Sequence, residues 1–197
     1  MSIIAISHGL RDFLSRGDAD ARARNGYPSG DTLAGVFQTC QRTLMQAVET
    51  MSEEDMVWRP FPETPSAGYY LWHVARVQDA LLHKQILNRP EIYETHGYAQ
   101  EFGLPQYDTG QDYTATQRAH FQEPPKAELL EYLQRTFTAV LRTIDELGPE
   151  GLDIETQSGM QRIRYLIILT THANLHAGAI NHIREVLTAS REVPTES

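Results

Sequence analysis

Tyr165-Leu-Ile-Ile-Leu-Thr-Thr-His172-Ala-Asn-Leu-His176-Ala-Gly-Ala-Ile-Asn-His-Ile183 contains no proline, and Leu166, Ala173, Ala177 and Ile180 recur in it at helical spacing. That periodicity predicts an amphipathic helix. His172 and His176 then share the adjacent stripe with Leu169, Ala179 and Ile183, because side chains four residues apart stack along a helix. The stripe is mostly apolar. Burying two imidazoles there costs free energy unless their ring nitrogens find partners, and a divalent metal engages both at once. A bare H-x-x-x-H also fits half-buried or surface histidines, so the pair makes a metal site only with a third ligand.

Outward from this stretch, Ser158-Gly-Met-Gln161 has the form of a capping box, and it predicts a helix running to about Ala189 with a frayed tail over 191–197. Leu152 to Gln157 reads as extended. Before it, Leu130, Leu133, Phe137, Val140, Ile144 and Leu147 form a regular seam that opens after Pro124-Pro125 and stops at Gly148-Pro149. Residues 91–123, rich in Gly, Tyr, Gln and Pro, form a long connection, either functional or simply a crossover. His96 and His120 within it have no helical partner at ligand spacing.

A further helix is predicted from Ser66 to about Asn88, following the prolines of Trp58-Arg-Pro-Phe-Pro-Glu-Thr-Pro65. On it His73 shares a face with Tyr69, Tyr70, Val77 and Ala80, as a core histidine or a ligand. Asp79 lies about 120° around the helix from His73 and is not expected to be a fourth ligand. The first long helix is predicted from an Asp31 N-cap, with Leu33, Phe37, Cys40, Leu44, Ala47 and Met51 on its seam. Residues 1–30 read as a loosely attached arm with a short helix over Ile3 to Leu14. Four long amphipathic helices in 31–190 predict one all-α domain, a four-helix bundle, and bundle cores build metal sites from facing helices.

Composition narrows the functions. The 197 residues are 41% hydrophobic and 22% charged, as in an ordinary globular protein. A net charge of −9 argues against a general nucleic-acid or anionic-membrane binder. The single cysteine, Cys40, excludes an internal disulfide and a cysteine-based zinc site. No signal-like start and no apolar run near the ~20 residues of a membrane span are seen, so a cytoplasmic location is expected.

His73, His172 and His176 converge if the second and fourth helices are neighbours. Three imidazoles with an open position suit zinc, nickel or a similar ion. Moreover, Trp58-Arg-Pro, Gly68-Tyr-Tyr-Leu-Trp-His73-Val-Ala-Arg76, Gly97-Tyr-Ala-Gln-Glu-Phe-Gly-Leu-Pro105 and His172-Ala-Asn-Leu-His176-Ala-Gly178-Ala-Ile180 with Arg184 occur in one order. That ordered set resembles the DinB/YfiT-like superfamily over roughly residues 31–189. The resemblance implies an up-down-down-up bundle with a long crossover, a metal held by His73, His172 and His176, and frequent homodimers. Relatives often carry a glutamine where this chain has Ala179, so a hydrogen bond supporting the ligands is absent here.

The resemblance also implies chemistry. Relatives of known activity resemble thiol-dependent S-transferases and isomerases in which the metal activates a low-molecular-weight thiol, with the 91–123 connection available to cover a small-molecule substrate. Tyr69 and Tyr165 are candidates for a catalytic proton donor, or else pack with their hydroxyls at the surface. Arg76 and Arg184 are placed to hold a carboxylate of the thiol, or to make solvated salt bridges. The alternative is a non-catalytic, metal-stabilised dimeric bundle of a stress response.

Overall fold

The computed structural model describes residues 30–192. All of the expected arm but Gly30, its helix over Ile3 to Leu14 and the last five residues of the tail lie outside that range. The order is α1 (Gly30–Glu49), α2 (Glu53–Val57), α3 (Ala67–Ala80) continued by a π-helical turn (Leu81–Ile86), α4 (Ile92–Thr95), α5 (Tyr98–Phe102), α6 (Ala115–Ala119), α7 (Lys126–Leu152) and α8 (Arg162–Glu192). Among the described residues the only β feature is one antiparallel bridge, Glu155 to Gln161.

Helices α1, α3, α7 and α8 are the bundle, and contacts at its two ends give their directions. At one end Lys126, opening α7, donates through Nζ to the Glu49 and Met51 carbonyls that close α1. At the same end Ser66, the N-cap of α3, bonds Glu123 just before α7, and Arg191 near the close of α8 pairs with Asp55 at 2.6 Å. At the other end Gly30 lies against Ile144 and Leu152. Helices α3 and α7 therefore both run away from the end where α1 and α8 finish, which is up-down-down-up. Two parallel neighbours cannot be joined by a tight turn, and this is why 87–125 is long.

The seams bury in part: Leu130, Phe137 and Leu147 of the expected α7 seam are half-buried, and Leu129, Tyr132 and Thr136 share its buried face. Leu33, Phe37 and Leu44 of α1, Leu133, Val140 and Ile144 of α7, and Leu166, Ala173, Ala177 and Ile180 of α8 are all buried. Two apolar clusters result, one around Leu44, Trp72 and Leu133, the other around Phe37, Leu82 and Leu166. Among them Gln78 joins Thr136 and Gln41 by buried side-chain hydrogen bonds from three helices.

Several boundaries differ from the sequence reading, each for a local reason. Helix α1 starts at Gly30, so Asp31 sits in the first turn, where its carboxylate meets the positive end of the helix dipole instead of capping it. Cys40 is half-buried at the edge of the core. Ser158 and Gln161 make no capping box: the Ser158 hydroxyl meets that of Tyr165, Gln161 donates to the Asp153 carbonyl, and α8 begins at Arg162. Arg191, expected in the frayed tail, is helical and ion-paired.

Gly148 adopts φ 58° and ψ −178°, which ends the regular part of α7 as expected. That region is open essentially to glycine alone. A Cβ there would meet nothing within 4 Å, so the strain is purely conformational. Gly148→Ala is expected to cost about 1–3 kcal/mol in urea unfolding, and an unchanged midpoint would refute the assignment.

Candidate metal centre

Helix α3 is the buried axis of the site. Ser66 caps it by accepting from the Tyr69 amide, and every residue from Ala67 to Ala80 except Tyr70 is buried. His73, 5% exposed, sits one turn beyond Tyr69 and faces α8. On α8 the apolar stripe turns Ala173, Ala177 and Ile180 into the core, which leaves His172 and His176 half-buried on the flank toward α3.

The three rings meet tip to tip. His172 Nε2 lies 3.1 Å from His73 Nε2 and 3.1 Å from His176 Nε2. Ligands held about 2.0–2.1 Å from a tetrahedral ion stand roughly 3.3 Å apart, close to these edges. Among the described residues these three are the group of candidate ligands whose donor atoms all lie within 4.8 Å of one another.

Electrostatics favour a cation. Burial, then the neighbouring imidazoles, push His172 down to about 2, and burial with His73 pushes His176 down to about 4. Burial likewise lowers His73, against the opposing pull of its Thr109 bond and Asp108. All three are therefore neutral at neutral pH. His73 Nδ1 donates to the Thr109 carbonyl at 2.5 Å, which leaves Nε2 as a lone pair aimed at the other two rings. Converging lone pairs repel one another, and a divalent ion turns that repulsion into attraction, so the residues fit the metal that the sequence implied.

The three histidines have unequal support. His73 has the Thr109 carbonyl, and His176 stacks on Tyr70 with centroids 4.9 Å apart. His172 Nδ1 is buried with no hydrogen-bond partner among the described residues.

The tyrosines divide. Tyr69 stacks alongside His73 at 6.1 Å, but its hydroxyl donates to the Gly110 carbonyl at 2.7 Å, and burial raises it to about 12. Tyr165 is not brought to the histidines: its hydroxyl meets Ser158 at 2.7 Å, and its ring belongs to the cluster around Phe37. It precedes His172 by two helical turns, roughly 10 Å along the axis. Tyr70, placed on the His73 face by the sequence but not named there as a proton donor, is the half-buried tyrosine against the His176 ring. Its place three residues before His73, on the same helix face, was the available signal.

Arg76 overturns the expectation of a solvated salt bridge or a carboxylate clamp. It is wholly buried, pairs with Glu91 at 2.6 Å, bonds the Tyr132 hydroxyl, and lies 4.0 Å over the Tyr93 ring. Although burial opposes the charge, Tyr132 and Glu91 hold the guanidinium above its ordinary range. Asp79, as expected, is no ligand. Its carboxylate accepts from the Ile92 and Tyr93 amides, the Tyr132 hydroxyl and His83. Arg184 is half-buried on α8. His96 and His120 stay in the crossover and are not part of the three-histidine group.

An all-helical bundle with three histidines converging between its second and fourth long helices defines the class. The profile of the DinB superfamily matches residues 37–180, and the chain belongs to that superfamily. Among solved structures it is similar to a conserved protein from Enterococcus faecalis, at 18% identity and a TM-score of 0.68, covering 80% of this chain and 95% of that one. That likeness concerns the fold. No curated protein matches the chain.

Proposed function

We propose that this chain binds one divalent ion, zinc or nickel, through His73, His172 and His176, and uses it as a thiol-dependent S-transferase or isomerase. The observation that carries the reading is the convergence of three neutral imidazoles, with His172 Nε2 3.1 Å from the Nε2 of each of the other two. An ion held there would lower the pKa of a thiol or water that met it.

The chain's own groups define the rest. The Thr109 carbonyl holds the His73 ring and its tautomer. Tyr70, with its ring against His176, offers a hydroxyl on the half-buried side, where a small electrophile and a low-molecular-weight thiol would enter. The hydroxyls of Tyr69 and Tyr165, already bonded to Gly110 and Ser158, serve structure in this scheme. A homodimer in the cytoplasm completes the proposal. No described helix is long and apolar enough to cross a membrane.

The test is elemental analysis of untagged protein, followed by conjugation assays with several thiols and electrophiles. About one ion per chain, with turnover that chelation abolishes and re-addition restores, is the expected result. A bound ion without turnover across the panel would replace the enzyme with a metal-stabilised bundle.

A further inference from the structure

One face of α3 reads a run of backbone carbonyls in the crossover. The Tyr69 hydroxyl donates to the Gly110 carbonyl at 2.7 Å, and His73 Nδ1 to the Thr109 carbonyl at 2.5 Å. Arg76 donates through Nε to the Asp108 carbonyl at 2.9 Å and through Nη2 to the Gln106 carbonyl at 3.3 Å. Positions i, i+4 and i+7 of a helix lie on one face, so three side chains hold the strap 106–110 antiparallel to α3.

The strap is built for this close approach. The Asp108 carboxylate accepts from the Gly110 amide at 3.0 Å, and Gly110 has φ 76°. A Cβ on Gly110 would come within 2.7 Å of both the Trp72 ring and the Tyr69 hydroxyl. Arg76 is in turn fixed from behind by Glu91 and Tyr132.

We propose that Arg76 is a positioning residue. Through the Asp108 and Gln106 carbonyls it sets the strap whose Thr109 carbonyl fixes His73 as the Nδ1–H tautomer, with Nε2 directed at His172 and His176. The inference adds to the metal reading a control point one turn from the ligand that touches no substrate. A carbonyl acceptor that orients a ligand imidazole is typically worth about 10- to 100-fold in metal affinity.

Arg76→Lys is the first variant. It keeps the positive charge for Glu91, but its single ammonium head cannot also span two carbonyls of the strap. Gly110→Ala is the second, since it displaces the strap and leaves Arg76 intact. Two readouts are taken: the His73 tautomer in the metal-free protein, from nitrogen-15 imidazole shifts, and the affinity and visible spectrum with cobalt(II).

Wild-type protein is expected to hold His73 as Nδ1–H. A folded Arg76→Lys or Gly110→Ala protein is expected to show mixed tautomers, a changed cobalt spectrum and about 10- to 100-fold weaker binding. Either variant, folded and with wild-type tautomer and affinity, overturns the proposal. Wild-type protein that binds no ion but keeps the Nδ1–H signature, lost in the variants, would sink the metal reading while leaving the positioning role intact.

Discussion

His172→Ala is expected to lose divalent-metal binding altogether and, with it, the stabilisation that the ion confers. His172 is the middle of the three histidines, with its Nε2 3.1 Å from each of the other two. Without it the remaining imidazoles, on different helices, are a two-point site lacking its centre. A ligand that binds only the folded state stabilises it by RT ln(1 + [L]/Kd), about 2.7 kcal/mol at a hundredfold excess over Kd. The melting temperature of the wild type should therefore rise with added metal, and that of the variant should not. An equal metal-dependent rise in both would remove His172 from the site.

The metal-free proteins give a second sign. Burial, with help from neighbouring rings, depresses His172 to about 2 and His176 to about 4. An unfolded histidine titrates near 6.5, so below that pH the unfolded chain binds protons that the folded chain refuses. Stability is fully present above about pH 6.5 and is lost progressively as the pH falls toward the folded values. Removing His172 removes one such group. The metal-free variant should lose less stability between pH 7.5 and pH 5.5 than the metal-free wild type.

The bundle was legible where burial follows a period. The α7 seam through Leu133, Val140 and Ile144 is apolar because it faces the other helices, and periodicity records that directly. The three histidines were legible because helical spacing set two on one face and the ordered motifs supplied the third. The surroundings of Arg76 were not. Its hydrogen-bond partners lie 15 to 56 residues away, and two of them are backbone carbonyls, which every residue has and no sequence advertises. The Thr109 carbonyl on His73 was hidden for the same reason. At the start of α8 the local pattern pointed the wrong way, because Tyr165 took the serine hydroxyl that the capping box required. The π-helical turn after Ala80 left no mark in the apolar spacing.

The same buried polar cluster gives the largest expected loss of stability, in Asp79→Ala. Burial alone would raise the Asp79 carboxyl, but His83, Tyr132 and the Tyr93 amide hold it below the usual carboxylate range. It is wholly buried, and four donors converge on it: the Ile92 amide at 3.0 Å, the Tyr93 amide at 2.7 Å, the Tyr132 hydroxyl at 2.8 Å and His83 Nδ1 at 2.6 Å. Alanine strands the donors and leaves the Arg76 guanidinium, 3.7 Å away, with Glu91 as its remaining carboxylate. Breaking a buried ionic network from one side costs about 3–5 kcal/mol, a large share of the roughly 5–15 kcal/mol that holds a domain together. The loss should also be local, because the Ile92 and Tyr93 amides fasten the opening of the crossover to α3. Limited proteolysis of Asp79→Ala below its melting temperature should therefore cut first within 91–123. A urea midpoint close to that of the wild type, or first cleavage elsewhere, would mean that the crossover is held by its aromatic packing and the 106–110 strap bonds and not by this carboxylate.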